Sequence, residues 1–162
     1  MPRSDSEARI TLSVLDRLID SEPGTAADPP HSRSKSLREL KSAVRRDLEW
    51  LLNTRRSILP LPPSSEQLQQ SLLMYGLPDF SSASVKSPSD RARILRTLEE
   101  AIAQFEPRLR AISVTIVTGE DNERALRFRI DAELQVDPAP EAVTFDTMLQ
   151  LYNGEYEVKE DE

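Results

Sequence analysis

The sequence predicts an α+β fold. Two main helices pack on one face of a small antiparallel sheet of three to four strands, behind a short N-terminal amphipathic segment and a flexible linker. Three observations carry this. Two long segments place apolar residues at helical spacing behind good N-caps. The C-terminal half instead alternates apolar and polar residues between turn-forming stretches. Helices first and strands afterwards, in separate blocks, is the order of an α+β domain. A chain of 162 residues buries roughly 70% of its unfolded surface and needs no covalent staple.

Residues 1–10 are polar. Residues 11–20, TLSVLDRLID, form an apolar island. Ser13 and Asp16 have the spacing of a capping box, and Leu15, Leu18 and Ile19 share one side of a helix. This island is too short to be a stable helix alone. It either docks on a partner through those three side chains or folds back on its own domain. Residues 21–36, SEPGTAADPPHSRSKS, read as a linker. The expected organisation is a docking segment and linker at 1–35, a domain at 36–158 and an acidic tail at 159–162.

Ser36, with Glu39 three residues on, caps the first strong helix, which runs to about Thr54. Leu37, Leu40, Val44, Leu48 and Leu51 make its core stripe. Trp50 lies off that stripe and packs either on a second internal element or on a partner, the internal option being the expectation for so large a ring. Residues 57–64, SILPLPPS, are too rich in proline for a central strand. Residues 65–75 read as a short helix closed by Gly76, and 77–86 as a loop. The second strong helix is Ser87 to Phe105, with Pro88 at the first helical position. Ser87 is its N-cap, Asp90 completes the box, and Ile94, Leu95, Leu98, Ala101, Ile102 and Phe105 face the core. Strands follow at 111–118, 125–136 and 142–152. In the second, Phe128, Ile130, Ala132 and Leu134 face the core, with Arg127, Arg129, Asp131 and Glu133 outside. Asn153-Gly154 has the chemistry of a hairpin turn into a short fourth strand.

Composition excludes several function classes. Without cysteine there is no disulfide, thiolate metal site or thiol nucleophile, and His31 alone makes neither a multi-histidine metal site nor a convincing Ser-His-Asp triad. No cofactor is implied. The net charge is −7, and residues 120–162 hold 13 acidic against 4 basic side chains. That argues against a duplex nucleic-acid binder. No apolar run reaches membrane-spanning length, and the polar start is unlike a signal peptide, so a cytoplasmic location is expected.

One place breaks local rules. Glu106 sits at a helix C-terminus, where a negative charge is disfavoured by about 0.3–1 kcal/mol, and it precedes Pro107. Such conflicts mark strained or functional sites. Glu106 and Arg108 either pair internally, with Arg46 or Arg55 as further partners, or face outward to a partner's charges. Asn53, Thr54 and Arg55 either cap the first helix or contact a neighbour.

The stretch from Arg46 to Arg55, RDLEWLLNTR, resembles the signature of the TssE family. These are baseplate wedge subunits of bacterial type VI secretion systems, within a phage baseplate family historically labelled lysozyme-like. SVLDRLID at 13–20, SLLMYGLPDF at 71–80 and FEPRL at 105–109 agree with it in order. The resemblance implies a non-catalytic subunit that joins TssF, TssG and TssK in a wedge, present in six copies around the spike and tube. It implies that the subunit provides the first platform on which the sheath proteins TssB and TssC polymerise. It implies a monomer in isolation, no direct membrane insertion, and a place at the inner-membrane-docked baseplate. The family's Glu-Pro-Arg motif, tied to assembly, falls on Glu106, Pro107 and Arg108. The expected partner-binding set is those three with Arg46, Asp47, Asn53, Thr54, Arg55, Leu15, Leu18 and Ile19. The competing expectation is a peptidoglycan-cleaving muramidase with Glu106 as general acid.

Overall fold

A computed structural model describes residues 13–19, 33–58, 62, 64–80, 83–84, 87–117, 125–150 and 155–160. The elements run α1 (Val14–Leu18), α2 (Arg33–Asn53), α3 (Glu66–Gln69), a 3₁₀ turn (Leu72–Met74), α4 (Pro88–Phe105), β1 (Leu109–Val117), β2 (Ala125–Leu134), β3 (Glu141–Gln150) and β4 (Glu155–Glu160). The strands form one antiparallel meander in the order β1-β2-β3-β4. Both long helices pack on the same face, α4 against β1 and α2 against β4. The α+β architecture is as expected.

The core forms where the two helix stripes meet the inner pleat of the sheet. Leu40, Val44, Leu48, Leu51, Ile94, Leu98 and Ile102 come from the helices; Val114, Phe128, Ile130, Leu134, Val143, Phe145 and Val158 come from the strands. Strand alternation is followed closely, because a one-residue slip would turn every apolar side chain of β2 to solvent. Among the described residues the sheet leaves regularity once, at a bulge between Arg110 and Ser113, where Ala111 takes a left-handed φ of 50°. Thr147 shares the inner face, and its buried hydroxyl has no hydrogen-bond partner.

Local chemistry explains the boundaries. Ser87 Oγ accepts from Asp90 N–H and Pro88 opens α4, as expected. Helix α2 begins at Arg33, earlier than expected, so Ser36 is inside it rather than at its cap. No proline or glycine separates Pro30 from Ser36, and arginine and lysine favour helix. The single helix expected over 65–75 is instead α3 and a separate 3₁₀ turn. Ser71 interrupts it by donating its hydroxyl to the Leu68 carbonyl and accepting from Leu73 N–H. Gly76 has a φ of 98°, and a Cβ there would stand 2.3 Å from the Thr54 carbonyl oxygen. Close approach of the two segments, joined by Leu77 N–H to Thr54 O at 2.8 Å, therefore requires glycine. The expected linker before residue 33 and the Asn153-Gly154 turn lie outside the described residues.

Candidate functional site: a charged cluster beneath the N-terminal helix

The turn after α4 builds the site. Pro107 keeps Glu106 out of helical geometry (φ −120°, ψ 76°), while the Glu106 N–H still closes on Ile102 O at 2.8 Å. Leu109 N–H returns to Glu106 O at 3.1 Å, and Gln135 N–H binds Arg108 O at 2.8 Å. The Glu-Pro-Arg turn is thus fixed at both the helix end and the sheet. This geometry points the Glu106 side chain inward, leaving the residue only 3% exposed.

Both Glu106 carboxylate oxygens are held by Arg108. Arg108 Nε donates to Oε1 at 2.6 Å, and Nη2 donates to Oε2. Arg108 Nη2 also reaches Asp47 Oδ2 at 2.5 Å, across from α2. Arg46 binds Asp47 Oδ1 through Nε at 3.1 Å and Nη2 at 2.9 Å, and Asp16 Oδ1 through Nη2 at 2.7 Å. Asp16 Oδ2 lies 3.9 Å from Arg108 Nη1. Two guanidinium groups therefore serve three carboxylates from α1, α2 and the turn after α4. The forked Arg108–Glu106 pair is the strong, directional kind of ion pair, and it offsets the unfavourable position of Glu106 at a helix end.

Titration follows from these contacts. Hydrogen bonding to Glu106, with the charges of Glu106 and Asp47, holds the Arg108 guanidinium well above its ordinary value despite burial. Burial pushes the Asp16 carboxyl up, but the Ser13 hydroxyl, Arg46 and the charge of Arg108 outweigh it and hold the group below the ordinary aspartate value. Burial, with the charges of Asp47 and Glu106, pushes the Tyr75 hydroxyl up. Tyr75 meets Phe105 edge-on, with centroids 5.2 Å apart, at the border of the cluster.

The structure therefore brings Asp16, Arg46, Asp47, Glu106 and Arg108 together. Of the two arrangements open for Glu106, the internal pair is the one present, with Arg46 in the same network. The outward-facing alternative is corrected, because the Pro107 turn aims Glu106 inward. Arg55 stands apart, exposed, with Asp79 Oδ2 at 3.8 Å. Asn53 and Thr54 cap α2, donating to Glu49 O at 2.8 Å and Trp50 O at 2.7 Å. Trp50 is 50% exposed rather than internal. It lies beneath Arg46, whose guanidinium carbon is 5.0 Å from the ring centroid.

The described part of this segment, 13–19, folds back on its domain, but inside out. Ser13 caps it as expected, with Asp16 N–H to Ser13 Oγ at 3.1 Å. Asp16 faces the domain, and Val14, Leu15, Leu18 and Ile19 remain exposed. The pairing of Asp16 with residues 30 and more positions away was not readable in the sequence, where its capping role fully accounts for it.

Among the described residues no group of three or more His, Cys, Asp or Glu is arranged to hold a metal ion. A depression of about 280 Å³ on the outer sheet face is lined by Val117, Arg127, Asp146, Met148 and Lys159. Its one lining carboxylate, Asp146, pairs with Arg129 at 3.1 Å.

The baseplate wedge protein gp25 family matches residues 38–139 of the chain. The chain belongs to that family. The match runs from α2 to the turn after β2 and contains four of the five cluster residues. Asp16, β3 and β4 lie outside it. The expectation drawn from the four sequence motifs is borne out at the level of the family, and with it a structural role in a phage-tail-like baseplate. A search of curated proteins found no match. No described helix is long and apolar enough to cross a membrane.

Proposed function

We propose that this wedge-family chain is the TssE-type subunit of a type VI secretion baseplate, docked at the inner membrane. In this reading it joins TssF, TssG and TssK and presents the surface from which the TssB–TssC sheath grows, making or breaking no covalent bond. The observation that carries it is the family match over 38–139 together with an open four-stranded sheet. An open sheet edge accepts a strand through main-chain hydrogen bonds. The cluster acts from inside: it holds α1 on α2 and the Glu-Pro-Arg turn, so that Leu15, Leu18 and Ile19 point outward to a wedge protein.

A muramidase role is disfavoured by position. The Glu106 carboxylate is buried and both its oxygens accept from Arg108, so it is not presented to a glycosidic leaving group.

The test is co-purification of TssF and TssG with the full chain carrying Leu15→Ser and Leu18→Ser. These side chains are exposed, so the fold should be kept. The reading expects loss of capture at an unchanged melting temperature. Full capture would remove the assigned role of α1. Peptidoglycan cleavage by the pure wild-type protein would contradict the proposal as a whole.

A further inference from the structure

We propose that β1 is the strand-accepting edge of the sheet and that Glu99 is its gate. This rests on the strand-addition reading above and adds which edge is used and what guards it.

The meander leaves two edge strands, β1 and β4. On each, a charged side chain from the helix packed against it meets a backbone group. From α4, Glu99 Oε1 accepts the backbone N–H of Val114 in β1 at 2.9 Å. From α2, Arg45 Nη1 donates to Val158 O in β4 at 3.3 Å. In an antiparallel ladder alternate residues turn their polar backbone groups toward and away from the neighbour. Val114 stands opposite Ile130 and gives its N–H to Glu99, so its backbone points away from β2, and so by alternation does that of Ile116. These are the groups an incoming strand must engage, and a carboxylate sits on the first of them. A charge placed at an edge, with a bulge beside it, is how open sheets avoid unwanted pairing. Here both devices fall on β1: Glu99 at Val114, and the bulge between Arg110 and Ser113.

On the inner face of β1, Val114 is covered, being only 4% exposed. At β1, Ile112 and Ile116 are covered only in part. A strand beyond β1 would bury what remains. The occupant is accordingly an extended partner segment with apolar side chains on its inner face, against Ile112 and Ile116. Its outer side chains stand beside Ser113, Thr115 and Val117. Its carbonyl replaces Glu99 on the Val114 N–H, and the released carboxylate turns to water.

The experiment measures binding of the full chain to purified TssB–TssC heterodimer for wild type, Glu99→Ala, Glu99→Gln and Arg45→Ala. Melting curves and analytical ultracentrifugation are run on each. Glu99→Ala should bind several-fold more tightly, Glu99→Gln should fall between it and wild type, and Arg45→Ala should match wild type. Unchanged or weaker binding by Glu99→Ala, at an unchanged melting temperature, overturns the gate while strand addition stands. Tighter binding by Arg45→Ala alone moves the acceptor edge to β4 and also overturns it. If Glu99→Ala instead forms dimers of its own, the guarded edge is for copy–copy pairing and the assigned occupant is wrong. Absence of binding by every form removes the strand-addition reading itself.

Discussion

Glu106 and Thr147 are both buried polar residues, and they are treated in opposite ways. Glu106, at the helix end, is fully engaged by Arg108 and belongs to a five-residue network. Thr147, on the inner face of β3, keeps a hydroxyl with no partner. One burial ties three separate segments together; the other ties nothing. Buried polar groups cost free energy in either place, so only the first has a return in architecture. It fixes the angle at which α1, α2 and the Glu-Pro-Arg turn meet.

The largest expected effect breaks the first region. Arg108→Ala leaves Glu106 buried and without its fork. The expected loss is about 3–5 kcal/mol in a denaturant titration. Next comes Asp16→Ala, which removes two arginine contacts from α1 but touches no core side chain. It should leave global unfolding nearly unchanged and expose the hydrogen-bonded amides of Asp16 and Ile19 to exchange, with a local loss of roughly 1.5–3 kcal/mol. The same contact gives a pH dependence. Asp16 has a folded-state value below its unfolded one. The stabilisation is therefore complete above the unfolded value of about 3.9 and is lost as pH falls through the lower folded value. Protection of α1 should persist at pH 5 and vanish only in strong acid.

Thr147→Val sharpens the comparison from the other side. It removes an unsatisfied hydroxyl at constant shape and should stabilise by about 1 kcal/mol, a rise of roughly 2–4 °C in melting temperature. The smallest effect belongs to Arg129→Ala. Its pair with Asp146 is about half exposed on both sides, and such pairs contribute about 0–1 kcal/mol, less at high salt.

Much of the fold was legible in the sequence because it depends on periodicity. The stripes of α2 and α4 and the alternation of β2 are local patterns that burial reads directly. The misplacements have local causes that single-residue signals do not rank: Ser36 looks like a cap, but nothing before it stops the helix, and Ser71 breaks a helix by hydrogen-bonding in place. At the site, the conflict at Glu106 was visible, but its resolution was not. Whether a charge faces in or out depends on the turn that Pro107 sets and on segments distant in sequence. Asp16 illustrates this most sharply, since its neighbours explain it fully as a capping residue. Trp50 went the other way: the size of the ring suggested burial, yet it stays half exposed, with a cation from the preceding turn of α2 over the ring.

The central claim is that Glu106 and Arg108 form one internal unit. A double-mutant cycle tests it most directly, with unfolding free energies measured for wild type, Glu106→Ala, Arg108→Ala and the double variant. An internal pair predicts that the double variant is more stable than Arg108→Ala alone, because removing the stranded carboxylate relieves its burial. Losses that simply add would contradict it, leaving two residues that act independently.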